Sequence, residues 1–213
     1  MANPACGTVQ LTRNARSSQR MSWPSSDPWV YRLDVGNLIG PEHVLEAAEI
    51  VADSLAVHVA RDWSVRAGPL EWDVERTVTH MVAAPAKYTL YLAARSEEFI
   101  ALTISKWPDA THHELVASIR PIARGLAAVA KWVPADTRAF HADGPTDVNG
   151  FLAMACVELL VHADDALQGL GSRLEPPEDL ARQVLNAEYP SATSYGSAWR
   201  ALLGSTGRPT STP

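Results

Sequence analysis

Apolar residues recur at helical spacing through most of this chain, whereas strand-like alternation is weak. In the first such stretch, residues 41–62, the apolar positions lie three or four apart: Val44, Ala48, Val51, Leu55 and Val59. That spacing places them along one face of a helix. The same pattern runs over residues 73–95, 109–133 and 147–170, and weaker helical signals cover 176–187 and 198–203. Four long amphipathic stretches predict an all-α protein, a four-helix bundle with short C-terminal helical additions.

The N-terminal part of the chain differs from its middle. Residues 1–38 are rich in Ser, Asn, Pro and Arg and show no sustained period. Such a composition buries too little apolar surface to offset the entropy of folding. We therefore expect a disordered, flexible N-terminal extension over residues 1–38 and a helical domain over residues 39–209.

Composition disfavours several classes of function. Hydrophobic residues make up 46% of the chain and charged residues 20%, which is typical of a globular protein in water. The net charge is -6 and Lys and Arg are spread thinly apart from three arginines near the start, so nucleic acid is not an expected partner. No apolar run reaches the ~18 residues that span a bilayer, and no secretory signal is evident. Cys6 lies in a polar tail and Cys156 in an apolar stretch, which favours free thiols and a cytoplasmic location.

The fourth helical stretch carries a possible pair of metal ligands. Glu158 and His162 are four residues apart, so both side chains leave one face of the helix, with Cβ atoms roughly 5–6 Å apart. Such a pair is more often part of a solvated helix face. The neighbouring residues are apolar, however: Val157, Leu159, Leu160 and Val161. A carboxylate at the centre of an apolar helix is costly unless it is paired or coordinates a metal.

Spacing alone does not choose a third ligand among the seven histidines. His80 lies on the amphipathic second stretch, where it is either a core histidine with satisfied hydrogen bonds or a ligand. His112 and His113 stand in the polar first turn of the third stretch, and we expect them on the surface. Exposed tryptophans at an interface or a pocket rim are also expected: Trp63, Trp107 and Trp132.

Three segments together resemble the DinB-like superfamily, and within it the mycothiol-dependent maleylpyruvate isomerase N-terminal domain and mycothiol S-transferase branch. Trp72–His80 resembles the tryptophan, valine and histidine pattern that opens the second helix of that family. Glu158–Gly171 resembles its later helix with glutamate, histidine and aspartate. Leu202–Pro209 resembles its leucines followed by threonine, glycine and arginine. The resemblance covers roughly residues 41–209.

The resemblance implies a DinB-like four-helix bundle with one divalent metal ion, which we expect to be zinc, bound by His80, Glu158 and His162. Three protein ligands leave one coordination position open, as in catalytic zinc sites. Family members use low-molecular-weight thiols, mycothiol in actinobacteria, as cosubstrate. The expected function is a metal-dependent thiol S-transferase, a monomer or homodimer, in which a metal-bound thiolate attacks an electrophilic small molecule.

Asp165 and Arg208 are the candidate catalytic residues beside the ligands. Asp165 lies seven residues after Glu158, where a carboxylate can orient the ligating imidazole of His162. Arg208 is a candidate to bind an anionic group of a substrate, or else a surface arginine in a flexible tail. Cys156 lies about 200° around the helix from Glu158, and we expect it to be a buried structural cysteine.

Two other functions are compatible with the same resemblance. One is a thiol-dependent cis–trans isomerase of the maleylpyruvate type, although such isomerases often carry a further C-terminal α/β domain for which this chain is expected to be too short. The other is a non-catalytic binding module of the DinB-like fold.

Overall fold

The computed structural model describes residues 38–142, 144–192 and 196–209. The predicted extension over residues 1–38 lies outside this part of the chain except for Leu38. The described chain is mainly helical with little strand, as predicted, and none of its helices is long and apolar enough to cross a membrane. The elements in chain order are α1 Pro41–Ala56, α2 Val74–Ala94, α3 His112–Ala117, α4 Ile119–Trp132, β1 Arg138–Ala139, β2 Thr146–Asp147, α5 Val148–Gly169, α6 Glu178–Glu188 and α7 Ala198–Ser205.

The two longest helices begin at the residues that the sequence predicts. Asp73 caps α2, because its side chain accepts a hydrogen bond from the backbone N–H of Arg76 at 2.7 Å. Asp147 caps α5 in the same way and accepts from the N–H of Gly150 at 2.9 Å. A carboxylate at this position satisfies a backbone N–H that has no partner inside the helix. Local hydrogen bonding therefore sets where both helices start.

Two helices differ from their expected bounds. α1 ends at Ala56, several residues earlier than predicted, and turns follow it. The stretch predicted over residues 109–133 begins only at His112, and it is divided into α3 and α4 at Ser118, near Pro121, where an interruption is expected. Pro121 explains the division, because proline has no N–H for the carbonyl four residues earlier and its ring clashes with that carbonyl. The same residue is tolerated in the first turn of α4, where no intrahelical N–H is needed.

α5 lies at the centre of the core. Its side chains are apolar on nearly every face, which is the pattern of a helix surrounded by other elements. It packs against α1, α2 and α6, while α4 packs against α1 and α2. Large buried side chains fill the space between these helices: Leu55, Met81, Leu92, Leu126, Phe151, Leu159 and Leu160. α2 and α5, which carry the predicted ligands, are therefore direct neighbours.

A short antiparallel strand pair leads the chain into α5. Arg138 pairs with Asp147 and Ala139 pairs with Thr146. Asp147 is thus both the last residue of β2 and the N-cap of α5. The weak strand signals in the sequence agree with strands of only two residues each.

The three tryptophans that were expected to be exposed differ in their exposure to solvent. Trp107 and Trp132 are exposed, as predicted. The prediction was wrong for Trp63, which is only 1% exposed and stacks on the ring of His112 with centroids 4.3 Å apart. His112 is correspondingly not a simple surface residue, since its Nε2 lies 3.3 Å from Glu75 Oε2. This contact between residues far apart in sequence buries the ring of Trp63 and covers the ring of His112 in part.

Candidate metal centre

The three predicted ligands come together where α2 faces α5. His80 lies in the second turn of α2, and Glu158 and His162 lie one turn apart in the middle of α5. Glu158 Oε2 is 3.2 Å from His80 Nε2 and 3.3 Å from His162 Nε2. The two imidazole rings are perpendicular, with centroids 5.2 Å apart. One possible ligand atom of each residue thus lies within 4.8 Å of those of the other two.

Solvent reaches this cluster unevenly. The side chain of His80 is 42% exposed, whereas those of Glu158 and His162 are 22% and 16% exposed. The cluster is therefore most open beside His80. A small molecule from solution would approach the ligand atoms past this residue.

Asp165 holds the imidazole of His162. The aspartate is buried, and its Oδ2 lies 3.1 Å from His162 Nδ1. Burial by itself raises the pKa of Asp165, but hydrogen bonds and charges from His162 and Arg208 outweigh burial and lower that pKa. An ionised carboxylate only accepts hydrogen bonds, so His162 donates its Nδ1–H to Asp165.

Arg208 is not a surface arginine in a flexible tail, one of the two alternatives that the sequence offered. It is half-buried, and its Nη2 lies 2.7 Å from Asp165 Oδ2 while its Nε lies 3.3 Å from Oδ1. Its Nη1 donates to the carbonyl of Thr206 at 2.8 Å. The guanidinium is therefore not free in a flexible tail, because its Nε, Nη1 and Nη2 all have partners within the protein.

The charges within the cluster are coupled. Burial raises the pKa of Glu158, but the contacts with His162 and His80 outweigh burial and lower this pKa to about 2. Burial likewise lowers the pKa of His162, but Asp165 and Glu158 outweigh burial and raise this pKa to about 9. Without a metal ion, the cluster at neutral pH therefore contains a carboxylate that faces a protonated imidazole.

The donor set fits a divalent metal ion. With its proton on Nδ1, a neutral His162 directs the lone pair of Nε2 towards Glu158 Oε2. Within the described chain that oxygen is buried, and its contacts with the two histidine Nε2 atoms lack the geometry of a hydrogen bond. Two facing lone pairs repel each other unless a proton or a metal cation lies between them, so a metal ion would take the place of the proton that the metal-free cluster holds. Zinc binds N and O ligands at about 2.0–2.2 Å, so two tetrahedral ligand atoms are about 3.3 Å apart, which matches the observed 3.2 and 3.3 Å.

Two aromatic residues that the sequence analysis did not assign to the site contact the cluster. Tyr88 directs its hydroxyl at Glu158 Oε1, 3.4 Å away, so that Oε2 is the oxygen nearest the histidines. Trp72 meets the ring of His80 at a steep angle, with centroids 5.2 Å apart. Each lies eight residues from His80, one before it and one after it. Eight residues are about 2.2 helical turns, and Trp72 precedes the first residue of α2, so helical spacing alone did not place either residue on the face of His80.

Two glycines allow the segment before α2 to lie directly against α5. A Cβ on Gly169 would stand 2.4 Å from the carbonyl oxygen of Arg66. Gly68 has a φ of 48°, in the left-handed region that favours glycine, and a Cβ on it would stand 3.3 Å from the carbonyl oxygen of Asp165. Larger residues at either position would push this segment, and with it Trp72, away from the cluster.

The other polar groups of α5 face away from the cluster. Cys156 is buried, as predicted, and burial raises the pKa of its thiol. Asp164 is buried beside Asp165 in sequence, but its carboxylate binds Gln168, Arg173 and the backbone N–H of Leu174. Asp164 therefore stabilises the turn that follows α5. Adjacent aspartates thus serve two different parts of the structure.

Comparison of the chain with protein-family models, curated proteins and solved structures found no match. Within the described residues, the group of His, Cys, Asp and Glu side chains with a geometry suited to a metal ion is His80, Glu158 and His162. The function of the site is therefore argued from the chemistry of these residues and their contacts.

Proposed function

We propose that this chain is a DinB-like four-helix bundle that binds a divalent metal ion, zinc, and acts as a metal-dependent thiol S-transferase. The proposed metal ligands are His80, Glu158 and His162. The proposed substrates are mycothiol or a related low-molecular-weight thiol and an electrophilic small molecule. The observation that carries the proposal is the approach of two imidazole Nε2 atoms to one buried carboxylate oxygen that forms no geometrically sound hydrogen bond in the described structure.

The packing of the long helices supports the bundle. α2 packs on α4 and α5, and α1 packs on the same two helices. In helical bundles, metal sites are built from inward-pointing side chains of facing helices. Ligands from α2 and α5 follow this arrangement, with His80 on one helix and Glu158 and His162 on the other.

The ligand set favours zinc with one position left for a substrate atom. A zinc ion held there would stabilise the deprotonated form of a thiol at neutral pH, and the thiolate is the nucleophilic form. In the transfer, the thiol sulfur bonds to the electrophilic carbon, the thiol proton is released, and the leaving group departs with the bonding electrons. The exposed side of the cluster at His80 supplies the route for both substrates.

The surrounding residues have defined roles in this proposal. Asp165 keeps His162 in the tautomer whose Nε2 is free to bind a metal ion. Arg208 compensates the buried charge of Asp165. Tyr88 takes one oxygen of Glu158 and leaves the other for the metal ion. None of the three requires contact with the substrate, so all act by positioning the ligands.

Metal analysis of the purified full-length chain tests the site. We expect one zinc ion per wild-type chain and a loss of most of it in His162→Ala. The matched control is His113→Ala, which removes an exposed histidine outside the cluster. A wild-type chain that stays metal-free after reconstitution with zinc, and a His162→Ala variant of equal stability, would refute the site.

Turnover measurements test the chemistry. The zinc-loaded chain is supplied with mycothiol, glutathione or cysteine and a fluorogenic electrophile, and thioether formation is followed. We expect thiol-dependent turnover in the wild type and its loss in His162→Ala. Stoichiometric zinc without turnover of any thiol would favour the non-catalytic binding module, and turnover of maleylpyruvate would favour the isomerase.

A further inference from the structure

Arg76 stands beside the exposed side of the metal cluster. Its guanidinium carbon lies 4.5 Å from the centroid of the Trp72 ring. The ring of Trp72 in turn contacts His80, the most exposed of the three ligands. Arg76 and His80 are four residues apart on one face of α2, and the ring of Trp72, which precedes α2, contacts both. The ring of Trp72 thus lies between the guanidinium of Arg76 and the imidazole of His80 on the exposed side of the cluster.

The charged groups near Arg76 already have other partners. Asp73 accepts the backbone N–H of Arg76 as the cap of α2. Glu75 Oε2 lies 3.4 Å from Lys106 Nζ and 3.3 Å from His112 Nε2. No carboxylate of the described chain forms an ion pair with the Arg76 guanidinium, which is exposed. Its hydrogen-bonding edges are therefore available to a ligand.

The position of Arg76 is unfavourable for α2 itself. It is the third residue of the helix, where the helix dipole disfavours a cation. A glutamate at this position completes a capping box. α3 shows that alternative, because Glu114 at the matching position accepts the backbone N–H of Thr111 at 2.8 Å. A residue that breaks a local rule without benefit to its helix is best explained by a functional role.

We propose that Arg76, held on the ring of Trp72, binds a carboxylate of a small molecule that reacts at the metal cluster. This inference rests on the proposed function and specifies one of its substrates as an anion. Stacking uses the face of the guanidinium and leaves its N–H edges for a carboxylate. The two ring contacts place the guanidinium within about 10 Å of the His80 ring, which a chain of about six carbons can span.

Thiol binding to the cobalt(II)-substituted full-length chain tests the subsite, because a bound thiolate gives a charge-transfer absorption band. The probes are 6-mercaptohexanoate and 6-mercaptohexanol, which differ in the terminal group. We expect the wild type to bind the carboxylate about fivefold more tightly at low ionic strength, as suits one exposed ion pair. Arg76→Gln should remove this preference, Arg76→Lys should retain part of it, and Arg124→Gln, at an exposed arginine of α4, should leave it unchanged.

A second arm separates the two possible sources of the carboxylate. The cobalt chain is loaded with 2-mercaptoethanol, and binding of hexanoate is followed by saturation-transfer NMR. Hexanoate binding that depends on Arg76 assigns the carboxylate to the second substrate, whereas an Arg76-dependent preference among the thiols assigns it to the thiol. A charge-transfer band with neither effect overturns the anion subsite alone. Absence of the band with every thiol overturns the proposed function and the subsite with it.

Discussion

His162 and Asp165 are joined by a 3.1 Å contact between Nδ1 and Oδ2 that decides which imidazole nitrogen faces the cluster. Because Asp165 is ionised, Nδ1 carries the proton and Nε2 is directed at Glu158. Arg208 compensates the charge of Asp165 from the other side. The orientation of this ligand thus depends on two residues outside the ligand set.

Asp165→Asn should therefore weaken metal binding, although Asp165 is not itself one of the proposed ligands. The amide keeps the size of the side chain but loses the charge that Arg208 and His162 share. We expect metal affinity to fall about 10–100-fold and the free energy of unfolding to fall by about 3 kcal/mol, since a buried ion pair loses one partner. Competition with a chromophoric chelator and urea unfolding measure the two effects.

Asp164→Asn is the matched control for that variant. Its carboxylate is also buried but binds Arg173 and the turn after α5. We expect it to lower the free energy of unfolding while metal affinity changes less than about twofold. An equal loss of metal affinity in both variants would mean that destabilisation of α5, and not the orientation of His162, controls the site.

Tyr88→Phe tests whether the hydroxyl directs Glu158. Removal of the 3.4 Å contact with Oε1 frees the carboxylate to turn, and we expect metal affinity to fall by up to about tenfold. The control is Tyr91→Phe, which removes a hydroxyl that accepts the backbone N–H of Ile100 at 3.3 Å. That change should cost about 1 kcal/mol of stability and leave metal affinity intact. Equal affinity of both variants and the wild type would contradict the role of Tyr88.

The metal-free protein should lose stability between neutral and alkaline pH. The folded-state pKa of His162, about 9, exceeds its usual value of 6.5. Protonated His162 therefore stabilises the fold fully below about pH 6.5, and this contribution, on the order of 3 kcal/mol, is lost as pH rises through 9. The pKa of Glu158, lowered to about 2, acts in the opposite direction: its contribution is present above about pH 4.5 and is lost as pH falls towards 2.

Urea unfolding in the presence of a chelator at pH 6, 7.5 and 9 measures this dependence. The difference between the wild type and His162→Gln isolates the contribution of the imidazole from groups that both proteins share, such as His58. We expect the difference to shrink as pH rises. A constant difference across this range would show that His162 is not held as a cation in the metal-free protein.

Local features of the fold could be predicted from sequence, because they depend on residues close together in the chain. The stretches predicted over residues 73–95 and 147–170 begin at Asp73 and Asp147, and each of these side chains binds a backbone N–H three residues later. The i, i+4 pair of Glu158 and His162 was likewise visible. The buried state of Cys156 followed from its position around α5.

Contacts between distant segments could not be predicted in the same way. His112 begins a polar helical turn, and nothing near it in sequence indicates that Trp63 will stack on its ring. Arg208 lies in a short stretch of polar residues, yet it reaches Asp165, 43 residues earlier. From spacing alone, His80 was one histidine among several, because its approach to Glu158 depends on how α2 packs against α5.

Cys156 should be unreactive in the folded protein. Its thiol is fully buried and its pKa is raised, so little thiolate forms and reagents cannot reach it. In a Cys6→Ser variant, which leaves one thiol, we expect reaction with a disulfide reagent at pH 8 to be more than about 100-fold slower than in denaturant. Rapid reaction of the native protein would contradict the described packing of α5.

Gly169→Ala and Gly125→Ala should change stability in opposite directions. A Cβ on Gly169 would stand 2.4 Å from the carbonyl oxygen of Arg66, a backbone atom that cannot turn away, so we expect a loss of about 1–3 kcal/mol. Gly125 lies in α4 with open space where its Cβ would be, and alanine there should add up to about 1 kcal/mol through helix propensity. Urea unfolding of the two variants at one pH compares them directly. Stabilisation by both would show that the segment before α2 does not press on α5, and the support for Trp72 beside His80 would be lost with it.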